Sequence, residues 1–316
     1  MHEVNWINKT TSAKRTVALG TFDGVHLGHQ FLLKTAVEHS DKECSSCVFT
    51  FERPPEQYFK GTSQLLTTFE RKIELILASG IEEVAWVPFE ESILSLSAED
   101  FVKNILIDSL HAKEVICGFN FRFGKDRRGD IEFLRNMAKE HGFTVTVVKP
   151  IQNICGEAIS STLIRESLKK GDLSKASKHL GYYVSYTGDV EHGAGRGRSL
   201  GFPTANLRIS PDLILPGEGV YLTWCIVPGM GGVPSVTSIG KNPTFSGESR
   251  TVESFILDFN ADLYNEKLEV QFLDRLRDII RYESPDDLKK QIKLDVAKAR
   301  DLLNRFHLQD GRVVLK

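Results

Sequence analysis

The chain has almost no excess of charge: 40 Lys and Arg stand against 42 Asp and Glu, for a formal net charge of -2. That balance exerts no long-range pull on a polyanion, so nucleic acid is not an expected partner and any phosphate binding has to be local. Cysteine is scarce and odd in number, five in all. The opening MHEVNWINKTTSAKR has no apolar core of the secretory kind. Together these imply free thiols in a reducing, cytoplasmic setting. Cys44 and Cys47 form one isolated C-x-x-C with no helix start and no second ligand pair, so they read as structural. Long apolar runs are missing too. The uncharged stretch 219–240 is broken by Pro228-Gly229-Met230-Gly231-Gly232, where a spanning helix would need continuity, and it reads as a hairpin, not a membrane segment. Neither G-x-x-x-x-G-K-[ST] nor a G-x-G-x-x-G after a strand occurs.

What remains is an ordinary globular composition, 41% hydrophobic and 26% charged, over 316 residues. That length predicts two domains. From residue 16 to about 180, short apolar strands (Thr16–Leu19, Cys47–Phe51, Val84–Val87, Val115–Cys117, Thr144–Val148) alternate with helical patterns near 29–39, 68–79, 98–110, 130–141, 160–169 and 172–180. Such alternation predicts an α/β fold, a Rossmann-like parallel sheet covered on both faces. Its ligands would lie beyond the carboxyl ends of the strands, among Gly20–His29, Phe51–Phe59, Gly118–Arg128 and Ser160–Arg165. After Gly181, strands separated by turn residues predict a small antiparallel β-barrel. A closing helix after Ser284-Pro285 carries an apolar stripe at Leu288, Ile292, Val296, Ala299, Leu303 and Phe306. The expected domains are 1–181 and 182–316.

The densest chemistry lies in TVALGTFDGVHLGHQ, residues 16–30. A strand feeding a helix through Gly20, Gly24 and Gly28 brings backbone N–H groups and the positive helix end to one point, which suits a phosphate chain. His26 and His29, three apart, share a side of the turn and offer hydrogen bonds to a phosphate in flight. H-x-G-H in that setting points to nucleotidyl transfer. Further on, Ser160 or Ser161 is placed to cap a helix facing an anion, with Arg165 one turn later to grip the β/γ-phosphates. In the second half, Gly193, Gly195 and Gly197 predict a flexible flap over phosphates. Thr204 and Asn206 offer alternate oxygens on one side of a strand, suited to Mg²⁺ held with ATP.

These strings resemble the bifunctional prokaryotic riboflavin kinase/FAD synthetase family, from about residue 16 to about 303. G-T-F-D-G-V-H-L-G-H and I-S-S-T-L-I-R resemble its adenylyltransferase half. G-A-G-R-G-R-S-L-G-F-P-T-A-N, G-V-Y, I-G-K-N-P-T-F, V-E and L-D-F-N-A-D-L-Y resemble its kinase half. The resemblance implies that riboflavin is phosphorylated to FMN and FMN adenylylated to FAD, with ATP, Mg²⁺ and the flavins as the small-molecule partners of a monomer or weak oligomer. It implies that Gly20, Phe22, Asp23, Gly28, Ser160, Ser161 and Thr162 bind one nucleotide and Gly193, Gly195, Arg196 and Gly197 the other. His26, His29 and Arg165 act in adenylyl transfer, and Glu253 is the kinase's general base. Phe51, Asn120, Phe121, Phe123 and Arg277 contact flavin. Leu163, Asn120, Ile279 and Tyr282 depart from the family's usual basic residue, Asp, Glu and Phe. Two other readings stay open: a kinase with an impaired first domain, and a flavin sensor without turnover.

Overall fold

The computed structural model describes residues 4–54, 64–88, 90–193, 196–244 and 247–314. Its contacts divide the chain into two compact units, Met1–Ser161 and Thr162–Lys316.

The first unit is a six-stranded sheet, ordered β1 (Asn5–Ile7), β4 (Glu83–Val87), β3 (Cys44–Phe51), β2 (Lys14–Leu19), β5 (Ala112–Gly118), β6 (Thr144–Val148). The last five run parallel, as their apolar runs predict, while β1 adds antiparallel to β4. Alternation along β2 explains the two-faced core. Val17 and Leu19 point to a cluster with Phe101, Val102, Ile105, Leu134 and Met137. Ala18 points to the other face, against α1 (Leu27–Glu38) and α2 (Phe69–Ala78) through Leu33, Ala36, Ile73 and Ile76. The expected helix over 98–110 starts as Ala98–Asp100 and then widens to a π-helix, Phe101–Ser109, closed by Leu110 N–H donating to the Ile105 carbonyl. A further helix, α3 (Ile131–His141), covers the same face and ends on left-handed Gly142. Cys44 and Cys47 are buried in β3 as free thiols, and burial pushes the Cys47 thiol up. Because the chain leaves β2 toward β3 and β4 and later returns to β5 on its other side, the carboxyl ends of β2 and β5 flank a switch point where open α/β sheets bind ligands.

At the opposite end of β2, Arg15 is buried against Glu83, Nε to Oε2 at 2.7 Å and Nη2 to Oε1 at 3.2 Å, under the Trp6 ring. Removing one member of such a pair leaves an uncompensated buried charge. Arg15→Met is expected to cost about 3–5 kcal/mol, read as a lower urea midpoint. A loss below about 1 kcal/mol would show that the pair is not charged.

In the second unit six strands close a barrel in the order β10-β11-β8-β7-β12-β9: β7 is Ser185–Glu191, β8 Ala205–Arg208, β9 Gly219–Val227, β10 Gly231–Thr244, β11 Gly247–Ile256 and β12 Lys267–Arg277. β9 and β10 are the hairpin expected of 219–240, turning through Gly229 (φ +74) and Gly231 (φ +87). The lumen is partly polar: Thr223 Oγ1 lies 2.7 Å from both Ser235 Oγ and Thr237 Oγ1, and Ser254 and Cys225 complete the buried network. A hydroxyl ladder satisfies itself there without solvent. Two helices that the composition change assigns to the first domain, α4 (Ser161–Lys169) and α5 (Leu173–Leu180), fall with the barrel from Thr162 on. The Leu168 carbonyl accepts from Gly217 N–H at 2.8 Å, and α5 packs on β12. The closing helix α6 (Pro285–Leu303) is capped by Ser284 and lays Val296, Ala299, Leu303 and the following Phe306 on the barrel core, as its stripe predicts. A last hairpin, β13 (His307–Gln309) with β14 (Arg312–Val314), places Val313 in that core. Among the described residues, no helix is long and apolar enough to cross a membrane.

Candidate active sites

The first constellation sits at the carboxyl end of β2. Between Gly20 and α1 the backbone is unusually wound: Phe22 (φ +53), Gly24 (φ +79) and Val25 (φ +34) are all left-handed. An aromatic and a β-branched residue in that region are strained, and such strain persists only where the surroundings impose it. Here they do. Buried Asp23 accepts from Leu66 N–H (2.9 Å) and Thr67 N–H (3.4 Å), and its carbonyl accepts from Ser161 Oγ (3.0 Å). Gln30 donates to the Val25 carbonyl at 2.9 Å. Gly24 is required as well as permitted: a Cβ there would meet Leu66 at 2.6 Å. Asp23 is therefore a scaffold for the loop, its buried carboxylate accepting from backbone N–H groups. Phe22, fully buried under the edge of His29 at 5.3 Å, supports that imidazole from below; its ring is not a nucleotide contact, because no face of it is exposed.

His26 caps α1. Its Nδ1 accepts from His29 N–H at 3.4 Å, which leaves its proton on Nε2 when neutral. The two imidazoles stack, with centroids 3.7 Å apart and planes 16° from parallel, above Gly28. Burial holds the His29 pKa well below its ordinary 6.5, with neighbouring His26 and Lys72 acting in the same direction. Its Nδ1 is buried without a hydrogen-bond partner among the described residues. With His29 held neutral, the stacked imidazoles form a donor face at a helix start, a place that favours an anion.

Around this face, Phe51 ends β3 half-buried against Phe49. The β5 end turns through Gly118–Phe121, closed by Phe121 N–H donating to the Gly118 carbonyl at 3.0 Å, with Phe119 and Asn120 exposed at its corner. Phe121 is half-buried. Phe123 corrects the expectation of a flavin contact: its ring is buried between Phe101, Phe121 and Phe133, a core residue. Exposed Phe119 was not singled out in the sequence, because its neighbours in the F-N-F-R-F string look equivalent until burial separates them. Ser160 is half-buried ahead of α4. Ser161, expected as a cap, spends its hydroxyl on Asp23, while Thr162 is exposed and Arg165 half-buried along α4. Residues 55–59 of the expected Phe51–Phe59 loop lie outside the described residues.

A second constellation lies on the barrel's outer face. Alternation in β11 buries Val252 and Ser254 and turns Glu253 outward. Its register partner on β8 is Asn206, and Thr204 Oγ1 donates to Glu253 Oε2 at 3.4 Å. Where the glycine string predicts a flexible flap, the described part is a short helix, Arg196–Leu200, ended by left-handed Gly201. A Cβ on Gly193 would strike the Asn206 amide at 2.2 Å, and one on Gly197 would meet the Phe202 carbonyl at 2.4 Å. These glycines let the segment press against Asn206 and Thr204. Gly195 and the side chain of Arg196 lie outside what is described. Arg277 is also a correction. Its Nε and Nη2 hold Asp295 of α6 at 2.9 and 2.7 Å, and Nη1 donates to the Asp278 carbonyl. Three of its five N–H groups are thus spent on Asp295 and the Asp278 carbonyl, so the guanidinium serves first to join β12 to α6.

Residues 8–163 match the FAD synthetase family, and residues 180–303 match the riboflavin kinase family. Curated bifunctional riboflavin kinase/FMN adenylyltransferases are similar over nearly the whole chain. That of Pseudomonas fluorescens is 36% identical over 90% of this chain and 91% of its own. Those of Haemophilus influenzae and Escherichia coli K12 are both 34% identical, covering 91% and 90% of this chain and 94% and 91% of their own. A crystal structure described as a macrolide-efflux protein from Streptococcus pneumoniae superimposes with a TM-score of 0.84 at 33% identity, over 93% of this chain and 95% of its own. The chain belongs to the bifunctional riboflavin kinase/FMN adenylyltransferase family.

Proposed function

We propose that the chain phosphorylates riboflavin to FMN on its barrel unit and adenylylates FMN to FAD on its α/β unit. The observation that carries the reading is the stacked His26–His29 pair at the start of α1, with His29 held neutral, in a chain whose other unit presents Glu253, Thr204 and Asn206 together. In adenylyl transfer an FMN phosphate oxygen attacks the α-phosphorus of ATP in line, the α–β bridging bond breaks, and pyrophosphate leaves. His26 Nε2–H and the His29 imidazole donate to the phosphoryl oxygens as charge builds on them. Arg165 is assigned the leaving pyrophosphate on its place in the I-S-S-T-L-I-R string. Phe121, and Phe119 in place of Phe123, supply aromatic faces for the isoalloxazine, with Asn120 and Phe51 beside it.

In the kinase reaction Glu253 takes the proton of the ribityl 5′-hydroxyl as that oxygen attacks the γ-phosphorus and ADP leaves. A hydroxyl and an amide oxygen beside a carboxylate are hard donors that fit Mg²⁺, so Thr204 and Asn206 would hold it. Bound with the nucleotide, Mg²⁺ would neutralise phosphate charge. The protein's own part is to orient the hydroxyl and to hold the proton on Glu253. Five free thiols, four of them buried, support a reducing, cytoplasmic setting.

One incubation tests the whole reading: riboflavin, ATP and Mg²⁺ with the intact chain, resolved by chromatography. FMN followed by FAD is expected. FMN alone would leave a kinase with an impaired first unit, and neither product a flavin-binding protein without turnover.

A further inference from the structure

Ile73 and Ile76 put one face of α2 into the core, and on that face, next to Ile73, stands a lysine. The Lys72 side chain is 3% exposed. An ammonium survives such burial only if it is paired and hydrogen-bonded. Its Nζ donates to the Phe51 carbonyl at 2.5 Å, with the Thr21 and Glu52 carbonyls at 3.5 Å and the Phe69 ring centroid at 5.1 Å. Three N–H donors thus meet three carbonyls, drawn from the loop after β2 and from the last residue of β3 with the one that follows it.

We propose, on the adenylyltransferase reading above, that Lys72 is a positioning residue for adenylyl transfer, its buried ammonium tying the loop after β2 to the end of β3 and so holding the backbone that carries His26 and His29. The tie lands on the left-handed stretch. Thr21 immediately precedes Phe22, whose strained φ has to be imposed by its surroundings. A methionine would fill the same space with the same apolar stem, yet would take the ammonium donor from the Phe51 and Glu52 carbonyls and leave the Thr21 carbonyl with its bond from Thr50 Oγ1 at 3.2 Å. The positive charge has a second consequence, because it disfavours protonation of His29 and so helps keep that imidazole neutral.

A structural lysine and a positioning lysine differ in whether FAD formation follows the lysine's titration. Burial lowers the Lys72 pKa to about 8 against the opposing pull of the Asp23 and Glu52 carboxylates. The ammonium is therefore present below about pH 8 and lost above it. The intact chain is assayed between about pH 6 and 9.5 for kcat and KM of FMN in FAD formation, with riboflavin phosphorylation followed in the same samples as the internal control. In the wild-type chain FAD formation is expected to decline above about pH 8, with no matching decline in FMN formation. Lys72→Arg should move that decline upward by about one pH unit or more. Lys72→Met should abolish it and lower kcat about tenfold to a hundredfold at neutral pH, with a smaller change in KM. Should either variant fail to fold, the wild-type profile against its kinase control decides. A flat wild-type profile up to about pH 9.5, a Lys72→Met chain within about threefold of wild type, or the same alkaline decline in Lys72→Met would overturn the assignment. A wild-type chain that forms no FAD at any pH is a separate result and sinks the parent reading together with this one.

Discussion

Glu253→Gln is expected to abolish FMN formation while conversion of supplied FMN to FAD continues within about twofold. The substitution keeps the size and strand position of the side chain, and the amide oxygen still accepts from Thr204 as the carboxylate does now at 3.4 Å. What disappears is basicity. Without a group to take the ribityl proton, the attacking oxygen has to shed it to water, and general-base removal costs about 10²–10⁴ in rate. The loss belongs in kcat, since a neutral amide still fits the hydroxyl. FAD formation from supplied FMN is the control, because the residues proposed for it, His26 and His29, lie in the other compact unit. Steady-state assays of both steps on one preparation separate the outcomes: equal loss of both would mean that the variant has unfolded or that the two chemistries share Glu253. A Glu253→Gln chain with more than about a tenth of wild-type kinase activity would remove this carboxylate from the proton transfer.

The parallel strands, the barrel and the closing helix were legible because each follows from a pattern local in the chain. Apolar β-runs a helix apart have to become parallel neighbours, and the stripe from Leu288 to Phe306 has one face to bury. H-x-G-H at a strand-to-helix turn was legible for the same reason. What stayed hidden is pairing between distant segments. That Asp23 serves the 66–67 backbone and receives Ser161, that Arg277 spends its guanidinium on Asp295, and that Phe123 of three similar phenylalanines turns inward all depend on partners far along the chain. Lys72 had one readable sign, a charged residue beside the buried stripe of an amphipathic helix. The strand β8 was legible only as the alternation of Thr204 and Asn206, because the glycine and proline around it suggest a loop, and it is the closure of the barrel that makes Ala205–Arg208 a strand.

His29→Ala reverses the kinase result: FAD formation should fall about 10²–10³-fold while riboflavin phosphorylation is unchanged. The size follows from the role proposed for the imidazole, donation to phosphoryl oxygens, and single donors of that kind are worth about 3–4 kcal/mol of barrier. The fold should survive the change. The bond that caps α1 runs from the backbone N–H of residue 29 to His26 Nδ1, and alanine retains that N–H. His29→Asn, which restores a side-chain N–H, is expected to recover part of the rate; a lost fold would not be rescued this way. The pH dependence carries the argument further. In the free enzyme burial, then His26, then Lys72 keep His29 neutral well below its ordinary 6.5, so kcat/KM for FMN adenylylation should hold as pH drops through 6.5 and fail only at distinctly lower pH. An imidazole in ordinary solvent would take up its proton near 6.5, placing a charge 3.7 Å from the centre of its stacked partner. An acid limb centred at 6.5 would therefore mean that water reaches His29, and undiminished FAD synthesis by His29→Ala would take the residue out of the reaction.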